Sequence, residues 1–294
     1  MTQINTEKLD ACPLCGSDKL TVFLQGFDYE TLTGSYNIEE CQDCLIKFTN
    51  PRPTASDLPK LYEDRNSSDF VKPFILIDKL RSLSIRRSLA ELPKDILSGK
   101  KSVLDFGCGD GFFSKALADF NPGIAVLATD FHSECPPRIV DNPQVKYRSQ
   151  SLFQEENGQY DVIFCRHVLE HALDPAAFIQ ALEQRLTKNG YLIIEVPNAD
   201  SIWAKVFRNY YFAYYLPRHL FHFNETTLGA LLKSFGGKTI AKRNTPVLGR
   251  SLGYMMRLPI ENTGIVGLSL YPLQLILDQL ARSSNTLLAI AQKS

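Results

Sequence analysis

Ser102-Val-Leu-Asp105-Phe-Gly107-Cys-Gly109-Asp-Gly111-Phe-Phe113 sets the architecture of this 294-residue chain. It reads as a buried strand, a glycine turn, and a helix whose apolar face includes Phe113, Ala116, Leu117 and Phe120. The glycines let backbone approach a ligand closely at the carboxyl end of a strand. Phe112 stands where a dinucleotide fingerprint wants its third glycine, which disfavours NAD or FAD.

Downstream, the pattern repeats. Ile124–Asp130 reads as a second strand closed by an acid, and a carboxylate there can accept hydrogen bonds from two ribose hydroxyls. Val145–Arg148 is a third strand and Tyr160–Cys165 a fourth. A helix starts at Asp174-Pro175, with Asp as N-cap and Pro in the first turn, and its stop is read at Asn189-Gly190. Tyr191–Asn198 is a fifth strand and Lys238–Lys242 a sixth. Strands alternating with helices predict an α/β fold with a doubly wound, mostly parallel sheet.

Four of the seven cysteines fall in two knuckles, Cys12-Pro-Leu-Cys15 and Cys41-Gln-Asp-Cys44. Each knuckle puts two thiolates on one tight turn, and two turns make a tetrahedral site of soft ligands suited to structural Zn2+. A redox pair is the alternative. With short strands at Leu20–Leu24 and Ser35–Ile38 between the knuckles, residues 1–52 read as a small N-terminal zinc ribbon. About 50 residues rarely build a sufficient core unaided, so a metal staple makes physical sense. Asn50-Pro-Arg-Pro53 then marks a break, and 53–98 reads as a helical linker, with Leu76, Leu80 and Leu83 at helical spacing.

Composition narrows the field. Hydrophobic residues make up 44% and charged ones 22%, enough apolar character for a packed core. Lys+Arg and Asp+Glu both total 32, so no global field draws in nucleic acid. Residues 1–60 carry five basic and nine acidic side chains, which argues against phosphate binding by the ribbon and favours a docking or substrate-covering role. The first ten residues lack the apolar run of a secretory signal, which predicts a cytoplasmic setting.

DFGCGDGFF, the acid at 130, YDVIFCRHVLEH and GYLIIEVPN together resemble the successive motifs of class I S-adenosylmethionine-dependent methyltransferases, over roughly residues 100–240. The cysteine ribbon and the Arg218-His219-Leu-Phe-His222-Phe block are similar to a subgroup acting on sugars, lipid-linked intermediates and other metabolites. The resemblance implies a seven-stranded sheet within a core at 99–247, with Asn285–Gln292 as its closing antiparallel strand in the 248–294 segment. It implies S-adenosyl-L-methionine as cofactor: Asp105, Gly107 and Gly109 around the methionine moiety, Asp130 on the ribose and Phe131 flanking the adenine. Gln150 and Ser151 would meet the adenine edge, although an Asp is more usual at 150. Cys165 and Arg166 would offer backbone groups to the methionine amine.

Methyl transfer needs an acceptor held about 3 Å away in line and a base to remove its proton. Only five histidines are available, four of them in two clusters, His167 with His171 and His219 with His222. The resemblance points to His219 as base with His171 or a pocket tyrosine assisting. Relatives often carry Glu just before it, where this chain has Arg218, a residue suited to an anionic acceptor. A structural role for His219, capping the following helix, is the alternative. His167, Glu170 and His171 would share a helical face, which allows a metal there or a plain hydrogen-bonded helix start. The aromatic run from Trp203 to Tyr215 reads equally as acceptor-pocket wall or packing. Residues 264–280 are strongly apolar and broken by Pro272; a lid or a homodimer helix is preferred over a membrane contact, since only Arg257 and Arg282 flank it. The expected acceptor is a small molecule, a sugar or carrier-linked metabolite, methylated on oxygen or carbon. An RNA methyltransferase and a zinc adaptor without activity are the competing readings.

Overall fold

The computed structural model describes residues 4–62, 75–149, 158–258 and 260–294. The N-terminal segment contains β1 (Thr6–Glu7), β2 (Leu20–Phe27), β3 (Ser35–Cys41), β4 (Lys47–Thr49) and β5 (Arg52–Pro53). Then come α1 (Ile75–Ala90), α2 (Lys94–Leu97), β6 (Lys101–Phe106), α3 (Phe112–Phe120), β7 (Ile124–Asp130), β8 (Val145–Ser149) and β9 (Tyr160–Arg166). The chain continues through α4 (Pro175–Gln184), β10 (Leu186–Pro197), α5 (Ile202–Phe207), β11 (Phe221–His222), α6 (Glu225–Leu231) and β12 (Gly237–Arg243). It closes with α7 (Leu248–Met255), α8 (Ile260–Leu280) and β13 (Thr286–Gln292).

The large sheet has seven strands in the order β12-β13-β10-β9-β6-β7-β8. β6 pairs in parallel with β7 and β9, and β9 with β10, while β13 runs antiparallel to both β10 and β12. This is the doubly wound sheet the alternation predicts, closed by the expected antiparallel strand. Its order reverses at β6, which places the glycine turn at the topological switch point, where such sheets bind ligands. One face is covered by Ile85, Leu89 and Ile96 with Phe113 and Leu117 of α3, packed on Val103, Val162 and Ile193. The other is covered by Phe178 and Leu182 of α4 and Leu228 of α6, packed on Leu104, Ile163 and Ile194.

Three local expectations need correction. Asn189-Gly190 does not stop a helix: α4 ends at Gln184, and the pair lies in an irregularity of β10 between Leu186 and Tyr191. Asn189 takes φ 61, a left-handed value that Asn tolerates well, so the same residue type serves a strand bulge instead. Leu83 is exposed; among the described side chains of α1, Ile85 and Leu89 reach the core, while those of Leu76 and Leu80 lie outside the described ones. Pro272 does not break its segment, because α8 runs through it with Pro272 on the solvent side, where carbonyls freed by the ring can be hydrated. Among the described residues no helix is long and apolar enough to cross a membrane.

The cysteine segment is continuous with the rest of the molecule. β11 joins its sheet, giving the order β11-β4-β3-β2, with Phe221 opposite Phe48 and His222 opposite Lys47. Cys12, Cys41, Ile46 and Phe48 lie in the same apolar cluster as Leu169, Leu220 and Phe223. A second ribbon face, Tyr36 and Ile38, packs with Trp203, Phe207, Tyr211 and Tyr214. The aromatic run therefore serves largely as packing between ribbon and core. Trp203 Nε1 donates to Asp278 at 2.6 Å, which also pins α8.

Candidate active site

Gly107, Gly109 and Gly111 all take left-handed φ values, 78°, 55° and 74°. At Gly107 any Cβ would collide with Val168, so the loop after β9 is packed directly on the glycine loop. The amides of Gly107 and Cys108 both donate to the Thr129 carbonyl, tying the loop to β7. The Asp130 carboxylate is turned onto the same loop, accepting from Gly109 N at 2.8 Å and Phe131 N at 2.9 Å. Each oxygen keeps a lone pair for a further hydrogen-bond donor. Phe131 is 66% exposed, its ring 5.7 Å from Tyr62.

Asp105 lies next to the last residue of β6. It is buried and accepts from Ser114 Oγ of α3, and burial drives its carboxyl up to about 6 against the pull of that hydrogen bond. It ties the end of β6 to α3. Asp110, not singled out by the sequence, is gripped by Arg81 of α1 at 2.9 Å and by Arg138 at 3.4 Å, so α1 is clamped over the loop. Cys165 is fully buried, and Arg166 Nε donates to Glu195 at 2.6 Å. Gln150 and Ser151 lie outside the described residues.

Beside this crevice the histidines assemble, though not on a helical face. His167 is left-handed (φ 54), and only Leu169–His171 forms a single 3-10 turn. His167 bridges two carboxylates, with Nδ1 3.4 Å from Glu170 and Nε2 3.7 Å from Glu195. The residue is exposed at its edge, and although desolvation by the surrounding protein opposes its charge, the two carboxylates outweigh it and raise the imidazolium to about 9. A raised pKa stabilises the fold fully below the unfolded value near 6.5 and loses that contribution as pH climbs through about 9. The stability difference between wild type and His167→Gln should therefore shrink between pH 6.5 and 9.5 in urea titrations. A difference that stays flat across that window excludes the charged bridge.

Glu170, His171 and His219 form the heart of the cluster, each offering a ligand atom within 4.8 Å of the others. His219 Nδ1 is 2.9 Å from the Ala213 carbonyl, and His171 Nδ1 is 2.9 Å from the Arg218 carbonyl. A carbonyl only accepts, so both Nδ1 atoms carry the hydrogen and both Nε2 atoms present lone pairs. Burial holds both rings below the ordinary histidine range, so they are neutral at pH 7. His219 Nε2 lies 3.8 Å from Glu170, whose carboxylate is wholly buried with no hydrogen bond to either oxygen. The His219 Nε2 lone pair and the Glu170 anion facing one another favour an incoming proton or cation. His219 does not cap the following helix: Asn224 and Thr227 form that capping box themselves.

Arg218 is not available to an acceptor. It is 1% exposed, donates to the Leu61 carbonyl at 3.0 and 3.2 Å, and lies 3.7 Å from the buried Asp28 of the ribbon. Burial in ribbon contacts is the reason, and the sequence carried no sign of it. His222 is also structural, 3.1 Å from Thr49 Oγ1, with burial and Lys47 pushing its ring down to about 3. Glu195 and Tyr62 went unnoticed as site residues; the position of Glu195 near the carboxyl end of a parallel strand was the available signal.

The four knuckle cysteines fit zinc. All are free thiols, their sulfurs gather within 4.8 Å, and the Cys12–Cys44 and Cys15–Cys41 separations are 3.5 Å. A tetrahedral Zn–S bond of ~2.3 Å implies sulfurs ~3.8 Å apart, whereas a disulfide needs ~2.05 Å.

The strand order, the antiparallel closing strand and the glycine turn at the switch point define a class I S-adenosylmethionine-dependent methyltransferase fold. Residues 77–242 match the model of a methyltransferase domain family; that is more than half of the chain, and the chain belongs to this family. It is 35% identical over 114 residues to a ubiquinone biosynthesis O-methyltransferase of Acinetobacter baumannii (strain ACICU), covering 35% of this chain and 46% of that one. A protein of the same name from Xanthomonas oryzae pv. oryzae (strain PXO99A) is 33% identical over 133 residues, covering 42% and 55%. The chain thus spans about half the length of the curated relatives it matches. A solved S-adenosylmethionine-dependent methyltransferase from Archaeoglobus fulgidus aligns at 20% identity with a TM-score of 0.47, over 74% of this chain and 94% of that one.

Proposed function

We propose that the protein transfers the methyl group of S-adenosyl-L-methionine to a small-molecule acceptor, a sugar or carrier-linked metabolite, with His219 removing the acceptor proton. The observation that carries this reading is the contact between two loops. Val168 seats the Glu170–His171 turn on Gly107, so a cofactor over the glycine loop and a base at His219 address the same crevice. The cofactor supplies an electrophilic methyl carbon and its sulfonium leaving group. The chain's own residues hold the adenosine through Asp130 and Phe131, orient the acceptor, and accept its proton at His219 Nε2 beside Glu170. The names of the relatives support oxygen as the attacked atom. Zinc at Cys12, Cys15, Cys41 and Cys44 would keep the ribbon folded against this machinery.

Calorimetry with S-adenosylhomocysteine tests the reading. The wild type should bind, and Asp130→Ala should lose about 1.5–3 kcal/mol of affinity through the missing charge-assisted bonds to the ribose. Absence of binding at millimolar ligand would exclude the enzyme reading, and unchanged affinity in the variant would remove Asp130 from the site.

A further inference from the structure

Two cavities open beyond the carboxyl end of β10. One of about 420 Å³ is lined by residues that include Asp200, Lys205, Glu225, Lys242 and Arg282. The other, of about 340 Å³, is lined by Phe23, Lys47, Lys205, Arg208 and Tyr214 among others. Asp200 and Lys205 line both, so the two make one groove, in the size range of ligand sites.

The groove is positively charged within a chain of zero formal net charge. Five cations, Lys47, Lys205, Arg208, Lys242 and Arg282, face two acids, Asp200 and Glu225. The acids are already engaged. Asp200 pairs with Lys47 at 3.2 Å and accepts from Asn224 at 2.8 Å, and Glu225 pairs with Lys242 at 3.5 Å. Among the described residues, no carboxylate pairs with Lys205, Arg208 or Arg282. Two of these three also sit in strained backbone. Arg208 has φ 49 and ψ −117, and Arg282 has φ 48, values that glycine would adopt at lower cost. Phe23, 44% exposed, adds an aromatic face to the same groove.

The groove is linked to the histidine cluster by packing. Tyr214 lines it and packs edge-on against His222 at 5.3 Å, while its chain neighbour Ala213 holds the His219 ring through its carbonyl. We propose that this groove binds the phosphate groups of a phosphorylated, carrier-linked acceptor, with Lys205, Arg208 and Arg282 as the anion contacts. This deepens the methyltransferase reading and rests on it for the word acceptor, but not for the binding itself.

The test is calorimetry of the full zinc-loaded chain with uridine diphosphate and with inorganic pyrophosphate, in parallel with S-adenosylhomocysteine. Saturable binding that weakens as salt rises is expected. Lys205→Gln/Arg282→Gln should weaken it about tenfold or more, as loss of charge-assisted contacts implies. Arg208→Gly should weaken it as well while leaving the unfolding midpoint unchanged or higher, because glycine relieves the strain; a merely structural arginine would not separate these two readouts. Tighter binding of uridine diphosphate than of pyrophosphate assigns a nucleoside-linked acceptor, and equal binding assigns the phosphates alone. No binding of either probe at millimolar concentration, or affinity indifferent to these substitutions, overturns the proposal even where S-adenosylhomocysteine binds. Binding of the phosphates without S-adenosylhomocysteine would instead keep the groove and remove the methyltransferase reading.

Discussion

Truncating His219 to alanine should slow methyl transfer about 100-fold or more, in the range general bases contribute, while leaving S-adenosylhomocysteine affinity unchanged. The geometry specifies why. The Ala213 carbonyl fixes the tautomer, so the lone pair is at Nε2, and Glu170 stands 3.8 Å away to stabilise the imidazolium once the proton arrives. Burial, which keeps the ring neutral, also sets the sign of the pH dependence. A depressed pKa means the base form persists well below the ordinary value near 6.5, so the acid limb of kcat/KM should fall on the acid side of that value. Single-turnover rates for wild type and variant across pH 5 to 9 measure both effects. A fully active His219→Ala enzyme would move the base elsewhere, with the His171–Tyr62 pair as the next place to look.

What could be read from the sequence was what local periodicity encodes. Asp174-Pro175 announced α4 because an N-cap and a first-turn proline act within one turn; Asp174 accepts from the amides of Ala176 and Ala177. Strand alternation gave the large sheet, since each parallel strand is a short apolar run bounded by turns. The candidate cluster was harder, because its members meet through non-local pairing. Glu170 and His219 come together only because β11 adds to the ribbon sheet and the Leu220 amide donates to the Glu170 carbonyl. His167 looked like part of a helical face because spacing alone does not reveal a left-handed residue at the end of β9. Arg218 looked like an acceptor ligand because nothing near it in the chain shows that Asp28 and Leu61 enclose it.

That enclosure makes the ribbon an internal support of the candidate site, and Asp28→Ala should expose the dependence. Asp28 is wholly buried and accepts from the amides of Glu30, Thr31 and Thr33 and from the hydroxyls of Thr31 and Thr33. Burial works against its ionisation, but these bonds, with Arg218, hold its carboxyl below the ordinary range. The stabilisation is thus present above the unfolded pKa and is lost as pH falls through the lower folded value. Removing the carboxylate leaves the Arg218 guanidinium buried without its counter-charge, an imbalance that costs about 3–5 kcal/mol. The damage should reach catalysis, because the Arg218 carbonyl orients His171 and Arg218 directly precedes His219. Urea unfolding should therefore show the loss in stability, and kcat measured where the variant is still folded should fall as well. Pairing the change with Arg218→Met removes the stranded charge, so the double variant should regain much of the stability without regaining kcat. If Asp28→Ala proved as stable as wild type, the ion pair would not hold the ribbon to the core; if it were destabilised but fully active, the ribbon would brace the fold without positioning the histidines.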